Sequence, residues 1–518
     1  MNDAYDIVVV GSGFGGSLLA MIAHQLGRSV ILLEKNKHPR FAIGESSTPL
    51  SNILLESLAT RYDLPGITPL SKWGSWQKTY PHVACGLKRG FTFYHHVLGT
   101  AGKSDPGHQR QLLVAASPHD RIADTHWYRA EVDHLFVKEA QKIGVQYLDE
   151  VALQSISESE KEIGLQGCRN NKDFCVRAKF IVDATGPRGF LHQALALQES
   201  PFPDFPATRA LFSHFTGVGR FAEQISDDAS QVPPYPIDDA AVHHIFDGGW
   251  IWVLQFNNGI TSAGVAATDE LAARLRLSEG AAAWQRLLDL IPALKNQFAN
   301  SQAVQPFICM PRVSFRSNAI AGKRWALLPS AAGFVDPLLS TGFPLTLLGV
   351  SRLAEIIERD WDKPEFAARL KSYASQTDNE LLAAAELIAA LYATMDRFPA
   401  FAALSMLYFA AASFSESARR LGKGHLAPSF LLHDDPHFGP AMRRCFQHAK
   451  SDCTRLDVDE LSTEISHAIE PVNIAGLGNP QRRNWYPVDA NDLLNSAAKL
   501  ESTKARISQL LDKCGFRK

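Results

Sequence analysis

Three short stretches of this chain hold residue types at spacings that could do chemistry. The first is Gly11-Ser-Gly13-Phe-Gly15-Gly16, which directly follows the apolar run Asp6-Ile-Val-Val-Val10. A first glycine permits a tight turn, a second lets the backbone approach a pyrophosphate, and a third lets helix and strand pack closely. The N-terminus of the helix that follows offers free N–H groups and partial positive charge to phosphate. Glu34 ends the next apolar strand, where an acidic side chain can accept hydrogen bonds from a ribose hydroxyl. Residues 5–36 therefore read as a βαβ unit binding a dinucleotide, against the blander reading of a structural glycine turn. The second stretch is Cys85-Gly-Leu-Lys-Arg-Gly-Phe-Thr-Phe93. Alternation puts Lys88 on the strand face of Gly86 and Gly90 and opposite Arg89. Small and apolar neighbours suit burial, which would lower the lysine's pKa and let it donate a proton or react as an amine near neutral pH. A solvated strand lysine is the competing reading. The third is Gly249-Trp250-Ile-Trp252, whose two indoles share one strand face and form either a rigid wall or an ordinary packed core.

The elements that must position these residues can be read coarsely. Residues 52–80 look helical and then irregular, 83–97 alternate as one strand, and 104–126 are polar and loop-like. A helix opens near Trp127 and runs to Ile143, and short strands follow up to Phe180-Ile-Val-Asp-Ala-Thr-Gly186. Residues 205–270 read as sheet with a polar insert at 222–238, 310–330 as strand, and Gly333 to Leu348 as a turn entering a helix. Beyond about residue 350 the chain is mostly helical, with a polar break at 478–488.

The length, 518 residues, is ample for a large core with two or three subdomains. The net charge of -2 favours neither nucleic acid nor an acidic lipid surface as a partner. Seven scattered cysteines (Cys85, Cys168, Cys175, Cys309, Cys445, Cys453 and Cys514) form no C-x-x-C pair, which fits a reducing cytoplasm. The chain enters its first strand without a basic leader or cleavage site, so no signal peptide is expected. Phe398 to Phe414 is the most apolar later stretch. It is short for a bilayer span and contains Pro399, so a buried helix is expected there and no stable membrane insertion.

Further motifs carry a family resemblance. Asp183-Ala-Thr-Gly186 after an apolar strand, and Ala332-Gly333-Phe-Val-Asp336-Pro before a helix, resemble the second and third FAD-contacting segments of the flavin monooxygenase superfamily. Arg129 resembles that superfamily's phosphate-side arginine, with a surface salt bridge as the alternative. Gly44-Glu-Ser46-Ser-Thr48-Pro49, Lys88, Trp250-Ile-Trp252 and Asp336-Pro-Leu-Leu-Ser340-Thr341-Gly342 appear in that order. With the glycine turn, they make residues 5–350 or so resemble the flavin-dependent halogenases, and within them the branch that halogenates phenols.

The resemblance implies an α/β fold: a flavin monooxygenase-like FAD-binding core, with a βαβ parallel sheet and a mixed β-sheet, and a C-terminal helical subdomain. The core would span 1–350, with its substrate-side sheet at about 83–125 and 205–320, and residues 351–518 would cover the substrate. FAD would be held by Gly11, Gly13, Phe14, Gly15, Gly16, Glu34, Arg40, Ser46, Thr48, Pro49, Arg129, Asp183, Gly333 and Asp336. Chloride or bromide would sit at Ser340, Thr341 and Gly342, where backbone N–H groups entering a helix form an anion nest. FADH2 from a separate reductase, oxygen and halide would give hypohalous acid, which passes through a tunnel to Lys88 and is attacked there by an electron-rich phenolic ring. Trp250 and Trp252 would keep that ring off the flavin, where hydroxylation would compete.

The chain departs from the family pattern in places. Leu254-Gln255 replaces an Ile-Pro after the tryptophans, and Pro329-Ser330 replaces a Gly-Asp, which weakens one contact to the flavin ribose. Leu339 stands where tryptophan halogenases carry a glutamate, which argues against free tryptophan and for a ring already activated by a hydroxyl. Tyr94, His95 and His96 are nearest to Lys88 in sequence as bases for the phenol, though each also reads as a packed or surface side chain. The competing functions are an aromatic hydroxylase using NAD(P)H directly and a catalytically silent flavin scaffold. A free ring and one tethered to a carrier protein are not distinguished.

Overall fold

A computed structural model describes residues 4–100, 105, 107–225, 232–451 and 456–516. Cys453 and parts of the stretches 104–126 and 222–238 lie outside the described residues. The chain opens with β1 (Ala4–Val10), α1 (Phe14–Gln25) and β2 (Val30–Leu33). Next come α2 (Pro49–Arg61), β3 (Cys85–Lys88), β4 (Gly90–His95), β5 (Gln111–Ala115), β6 (Asp124–Trp127) and α3 (Arg129–Lys142). Four strands follow: β7 (Gln146–Leu148), β8 (Val151–Glu158), β9 (Ile163–Arg169) and β10 (Lys172–Asp183). Four more, β11 (Thr208–Thr216), β12 (Ala241–Phe246), β13 (Gly249–Gln255) and β14 (Thr261–Thr268), build a second sheet. Long helices then dominate: α4 (Gly342–Arg359), α5 (Phe366–Tyr392) and α6 (Phe398–Arg420).

The first sheet runs β7-β2-β1-β10-β9-β8, with the strand Trp325–Leu327 beside β10. β1 lies parallel to both β2 and β10, and Ile7, Val8 and Val9 are wholly buried, as expected of a parallel strand covered on both faces. The C-terminal half of β10 belongs to this parallel core, while its N-terminal half forms an antiparallel hairpin with β9.

The second sheet includes β11-β14-β13-β12-β4-β5 in that order. It is antiparallel except where β4 meets β12 and where the short strand Trp485–Tyr486 joins the edge beside β5. The polar break at 478–488 thus holds a strand, which ties the C-terminal region to this sheet.

Two expectations are corrected here. The stretch 83–97 is not one strand, because the pairing breaks at Arg89. The Arg89 N–H donates to Asp239 O at 2.6 Å and its carbonyl accepts from the Ala116 N–H at 2.7 Å. β4 joins the large sheet, whereas β3 pairs with β6, so facing rules do not carry across residue 89. The stretch 104–126 is not a simple loop either, since it holds β5 and the start of β6. All four residues of β6 are buried although Asp124, Thr125 and His126 are polar.

Helix α6 packs its aromatic side chains on β4. Phe401 meets Phe93 edge-on at 5.8 Å and Phe409 meets Phe91 at 5.4 Å. It is long and apolar enough to cross a membrane, yet 78% of its most apolar window is buried inside the protein, so it serves as a core helix.

Helices α4 and α5 are joined by a buried ion pair. Arg352 donates to both Glu380 oxygens at 2.6 Å, and the Phe430 N–H adds a third bond at 2.8 Å. Removing one partner of a buried pair strands the other's charge. Glu380→Ala is expected to destabilise the protein by about 3–5 kcal/mol, measured as a lower midpoint of chemical denaturation. An unchanged midpoint would mean that this pair does not hold the helices together.

Candidate active site

A cavity of about 370 Å³ opens at the C-terminal ends of β1 and β10. In an α/β sheet this is where nucleotides bind. It is lined by Gly13, Phe14, Gly15 and Gly16, by Arg40, Ser46 and Arg129, and by Gly333. Gly11 forms the turn beneath. Its φ is +98°, and a Cβ there would lie 2.7 Å from the Ala184 carbonyl. A Cβ on Gly16 would fall 2.0 Å from Gly11 O. The turn therefore exposes bare backbone to the cavity, a cradle that suits a pyrophosphate.

Charged groups close around this turn. Arg129 grips Asp133 with two bonds, at 2.8 and 2.9 Å, and donates to Gly44 O at 2.8 Å and Ile43 O at 3.1 Å. Asp133 also accepts from the Phe14 N–H at the start of α1, at 3.2 Å. Arg40 bonds Glu34 at 3.1 Å, and the same Glu34 oxygen accepts from the Ser12 hydroxyl at 2.8 Å. Arg40 is the partly exposed member. With Arg129 it supplies positive charge on the cavity wall.

Several residues expected at the cofactor stand behind the wall instead. Asp183 is fully buried and spends its oxygens on its own loop, accepting from Thr185 N–H and Oγ1 and from the Leu191 N–H. Ala184, Thr185, Gly186 and Pro187 face the cavity in its place. Thr48 caps α2 through Ser51. Pro49 lines a different cavity. Asp336 accepts from Trp250 Nε1 at 3.2 Å, the Leu338 N–H at 2.9 Å and Tyr392 Oη at 3.0 Å. Burial pushes its carboxyl up to about 7 against those three donors.

Trp250 and Trp252 line the same cavity with ring centres 5.6 Å apart. Ser340, Thr341 and Gly342 line it as well. Leu339 and Ser340 hold left-handed backbone at φ 63° and 56°, which turns the chain sharply into α4. The first-turn N–H groups of that helix have no intrahelical partner.

Lys88 lies between this cavity and a second one, and it is fully buried. Its Nζ donates to Ser46 Oγ at 2.9 Å, on the larger cavity, and to Ser47 O at 2.6 Å. It also sits 3.9 Å over the ring of Phe91, which lines the second cavity. Burial pulls the lysine well below its ordinary pKa, and Asp124 partly restores it. His126 and His243 lie near enough to feel that charge, and burial first and Lys88 second push both down to about 3, so both are neutral near pH 7.

The second cavity measures about 190 Å³ and is lined mainly by Phe91, Val114, Tyr408, Phe409 and C-terminal side chains such as Leu510 and Phe516. Its polar groups include Asn52, Asp124, Glu416 and Arg420. Between the cavities the rings run in series: Trp250 to His243 at 5.3 Å, His243 to Phe93 at 4.6 Å, and Phe93 to Phe91 at 6.3 Å.

Asp124, Asn52 and His243 were not legible as site residues, because their neighbours come from distant parts of the chain. The candidate bases Tyr94, His95 and His96 line neither cavity. His96 Nε2 bonds His244 Nδ1 at 2.9 Å, Tyr94 packs on Phe221 and His95 stacks on Phe398.

Residues 123–401 match the family described as tryptophan halogenase. The chain is 29% identical over 387 residues to the tetracycline 7-halogenase of Kitasatospora aureofaciens, covering 73% of this chain and 68% of that protein. It is 26% identical over 389 residues to the monodechloroaminopyrrolnitrin halogenase PrnC of Pseudomonas fluorescens, covering 74% of this chain and 66% of that protein. Its fold is similar to that of the halogenase PltM in complex with phloroglucinol and FAD, with a TM-score of 0.81, 24% identity, and coverage of 92% of this chain and 99% of that one.

The glycine turn generates a direct test. Gly16→Ala forces a Cβ against the Gly11 carbonyl and must open the turn. FAD affinity is expected to fall at least tenfold, about 1.4 kcal/mol, in a flavin-fluorescence titration. Unchanged affinity would mean that FAD does not rest on this turn.

Proposed function

The chain belongs to the tryptophan halogenase family, and from that premise we propose that this flavin-dependent halogenase installs chlorine or bromine on an electron-rich phenolic ring. The observation that carries the reading is Lys88, buried between two cavities with one polar partner on the first and one ring on the second. Reduced FAD, delivered by a separate reductase, supplies with oxygen the oxidising power that turns halide into hypohalous acid. The phenolic substrate is supported by the aromatic lining of the smaller cavity, by Leu339 in place of a glutamate, and by the phloroglucinol bound to PltM.

The residues of this chain then divide the work. The Thr341 and Gly342 N–H groups, aimed by the left-handed turn, hold the halide as a helix N-terminus holds any anion. Trp250 and Trp252 wall the larger cavity, and the ring series behind Trp250 fills the space towards the smaller one. A ring in the smaller cavity is kept from the flavin, which argues against a hydroxylase. Lys88 has three N–H donors. Two are spent on Ser46 and Ser47, and the third is left to hold hypohalous acid and polarise its oxygen.

The test is mass spectrometry of simple phenols and resorcinols incubated with the protein, FAD, a flavin reductase, NADH and oxygen, in chloride and in bromide. Halogen-for-hydrogen exchange is the expected product, and addition of oxygen alone would overturn the reading. Lys88→Ala is expected to lower halogenation at least about 10²-fold while oxygen still reoxidises the flavin. Continued halogenation by this variant would dismiss the lysine.

The pH profile gives a second check. Donation needs the ammonium form, and burial lowers the lysine's folded pKa. Activity should therefore fall as pH rises through that lowered value, well before the ~10.4 of a solvated lysine. An alkaline limb that begins only near the solvated value would mean that Lys88 is not desolvated.

A further inference from the structure

The smaller cavity holds a carboxylate that the scheme above does not use. Asp124 is 5% exposed and lines that cavity. Its Oδ1 accepts from Asn52 Nδ2 at 2.7 Å, whereas Oδ2 is buried without a hydrogen-bond partner. A buried polar atom left unpaired is costly, by about 1–3 kcal/mol and more when charged. On a residue that lines a cavity, such an atom points to a donor that arrives with a ligand.

The surroundings define that donor. Asp124 is the register partner of Lys88 across the β3–β6 pair. Cross-strand partners project from the same face. The lysine nonetheless spends its bonds on Ser46 and Ser47. Glu416 and Arg420 face Asp124 from α6, where Arg420 is already bonded to Glu416 at 2.7 Å. Tyr408, also on α6, is a further titratable neighbour, and Lys72, Tyr486, Asp489 and Cys514 line the same cavity. Phe91, Tyr408 and Phe409 pack edge to face beside the carboxylate. The combination is an apolar wall of rings with the unpaired Asp124 oxygen at its margin, next to a buried ammonium.

We propose that Asp124, steadied by Asn52, is the catalytic residue that binds the ring hydroxyl and takes its proton as the ring attacks the halogen. The proposal rests on the phenol-halogenase reading. In the attack, a ring carbon conjugated with the hydroxyl forms the carbon–halogen bond and the halogen–oxygen bond of hypohalous acid breaks. The departing hydroxide takes a proton from Lys88 and leaves as water. The phenol O–H proton passes to Asp124, giving a neutral halodienone. Loss of the ring C–H proton to the Lys88 amine and return of the Asp124 proton to the carbonyl oxygen then restore the aromatic ring. Both side chains end as they began, and phenol plus hypohalous acid have become halophenol plus water.

The test uses the full-length protein with Asp124→Asn, which keeps the side chain's shape and the bond from Asn52. The first readout is independent of flavin: 4-nitrophenol is bound to each protein and its ionisation followed by absorbance across pH. A carboxylate beside the hydroxyl disfavours the phenolate by like-charge repulsion. The variant is therefore expected to let the bound probe ionise about one pH unit lower than the wild type does. Identical profiles, or no binding of the probe by the wild type, would overturn the proposal.

The second readout is turnover. Asp124→Asn is expected to slow halogenation of a phenol about 10²-fold more than that of the matching aryl methyl ether, which has no proton to give and registers only the lost support for the Lys88 ammonium. Equal losses on both would mean that the substitution only reshaped the cavity, and the proposal would fall. If the wild type halogenates no phenol yet the probe profiles still differ, the halogenase reading fails while the hydroxyl site stands.

Discussion

Keeping the Lys88 ammonium out of water is the constraint on which the rest of the site depends. A buried charge must find hydrogen bonds and compensating charge, or it loses its proton. Its acceptors come from residues 46 and 47, and its register partner from β6. Those segments are themselves laced together. The Ser47 N–H and Oγ both donate to Thr125 O, at 3.1 and 2.8 Å, and the Trp127 N–H donates to Glu45 O at 2.6 Å. β6 therefore has Glu45–Ser47 on one side and β3 on the other. The break at Arg89 is what makes this possible, because it releases β3 from the large sheet so that Lys88 points between two cavities and not into one sheet face.

A second constraint is that the wall between the cavities must not move. Asp336 provides this by binding three elements at once: Trp250 of β13, the turn at Leu338 and Tyr392 of α5. The turn that lines the larger cavity, the tryptophan pair and a C-terminal helix are thereby one unit. A carboxylate so deeply buried has its pKa raised by desolvation, and three donors are what keep it tolerable there. Its position in the sequence suggested a flavin contact. Its position in space makes it a pin behind the wall.

The parts of this architecture legible in the sequence are those with local signals. Glycine spacing after an apolar run marks the β1–α1–β2 unit, because turn, helix and strand are all encoded within about thirty residues. Lys88 and the tryptophans could be singled out by type and by family resemblance. The break at Arg89 was not legible, since alternation runs straight through it and the bonds that impose it come from Asp239 and Ala116. β6 was hidden for a related reason. Its polar residues imitate a loop, and their partners, Asn52 for Asp124, Ser47 for Thr125 and Ala240 for His126, come from distant parts of the chain. Local rules fail at such places because the site violates them. Asp183 and Asp336 were legible as motif residues but not as structural ones, because a motif records which residues recur together and not which way a carboxylate turns.

The position of the site's carboxylate bears on how halide and ring are handled together. A carboxylate at position 339 would stand within the left-handed turn of residues 339 and 340, beside the N–H groups proposed to hold the halide. Two anions at that range repel unless water screens them, and the cavity wall there is apolar. Leu339 is wholly buried and removes that conflict. Asp124 instead enters from a different sheet, across the β3–β6 pair from Lys88 and on the smaller cavity. Lys88 then meets the larger cavity through Ser46 and the smaller one through Phe91, with Asp124 as its register partner. The same residue that is held out of water by its neighbours thus stands where the two cavities approach one another.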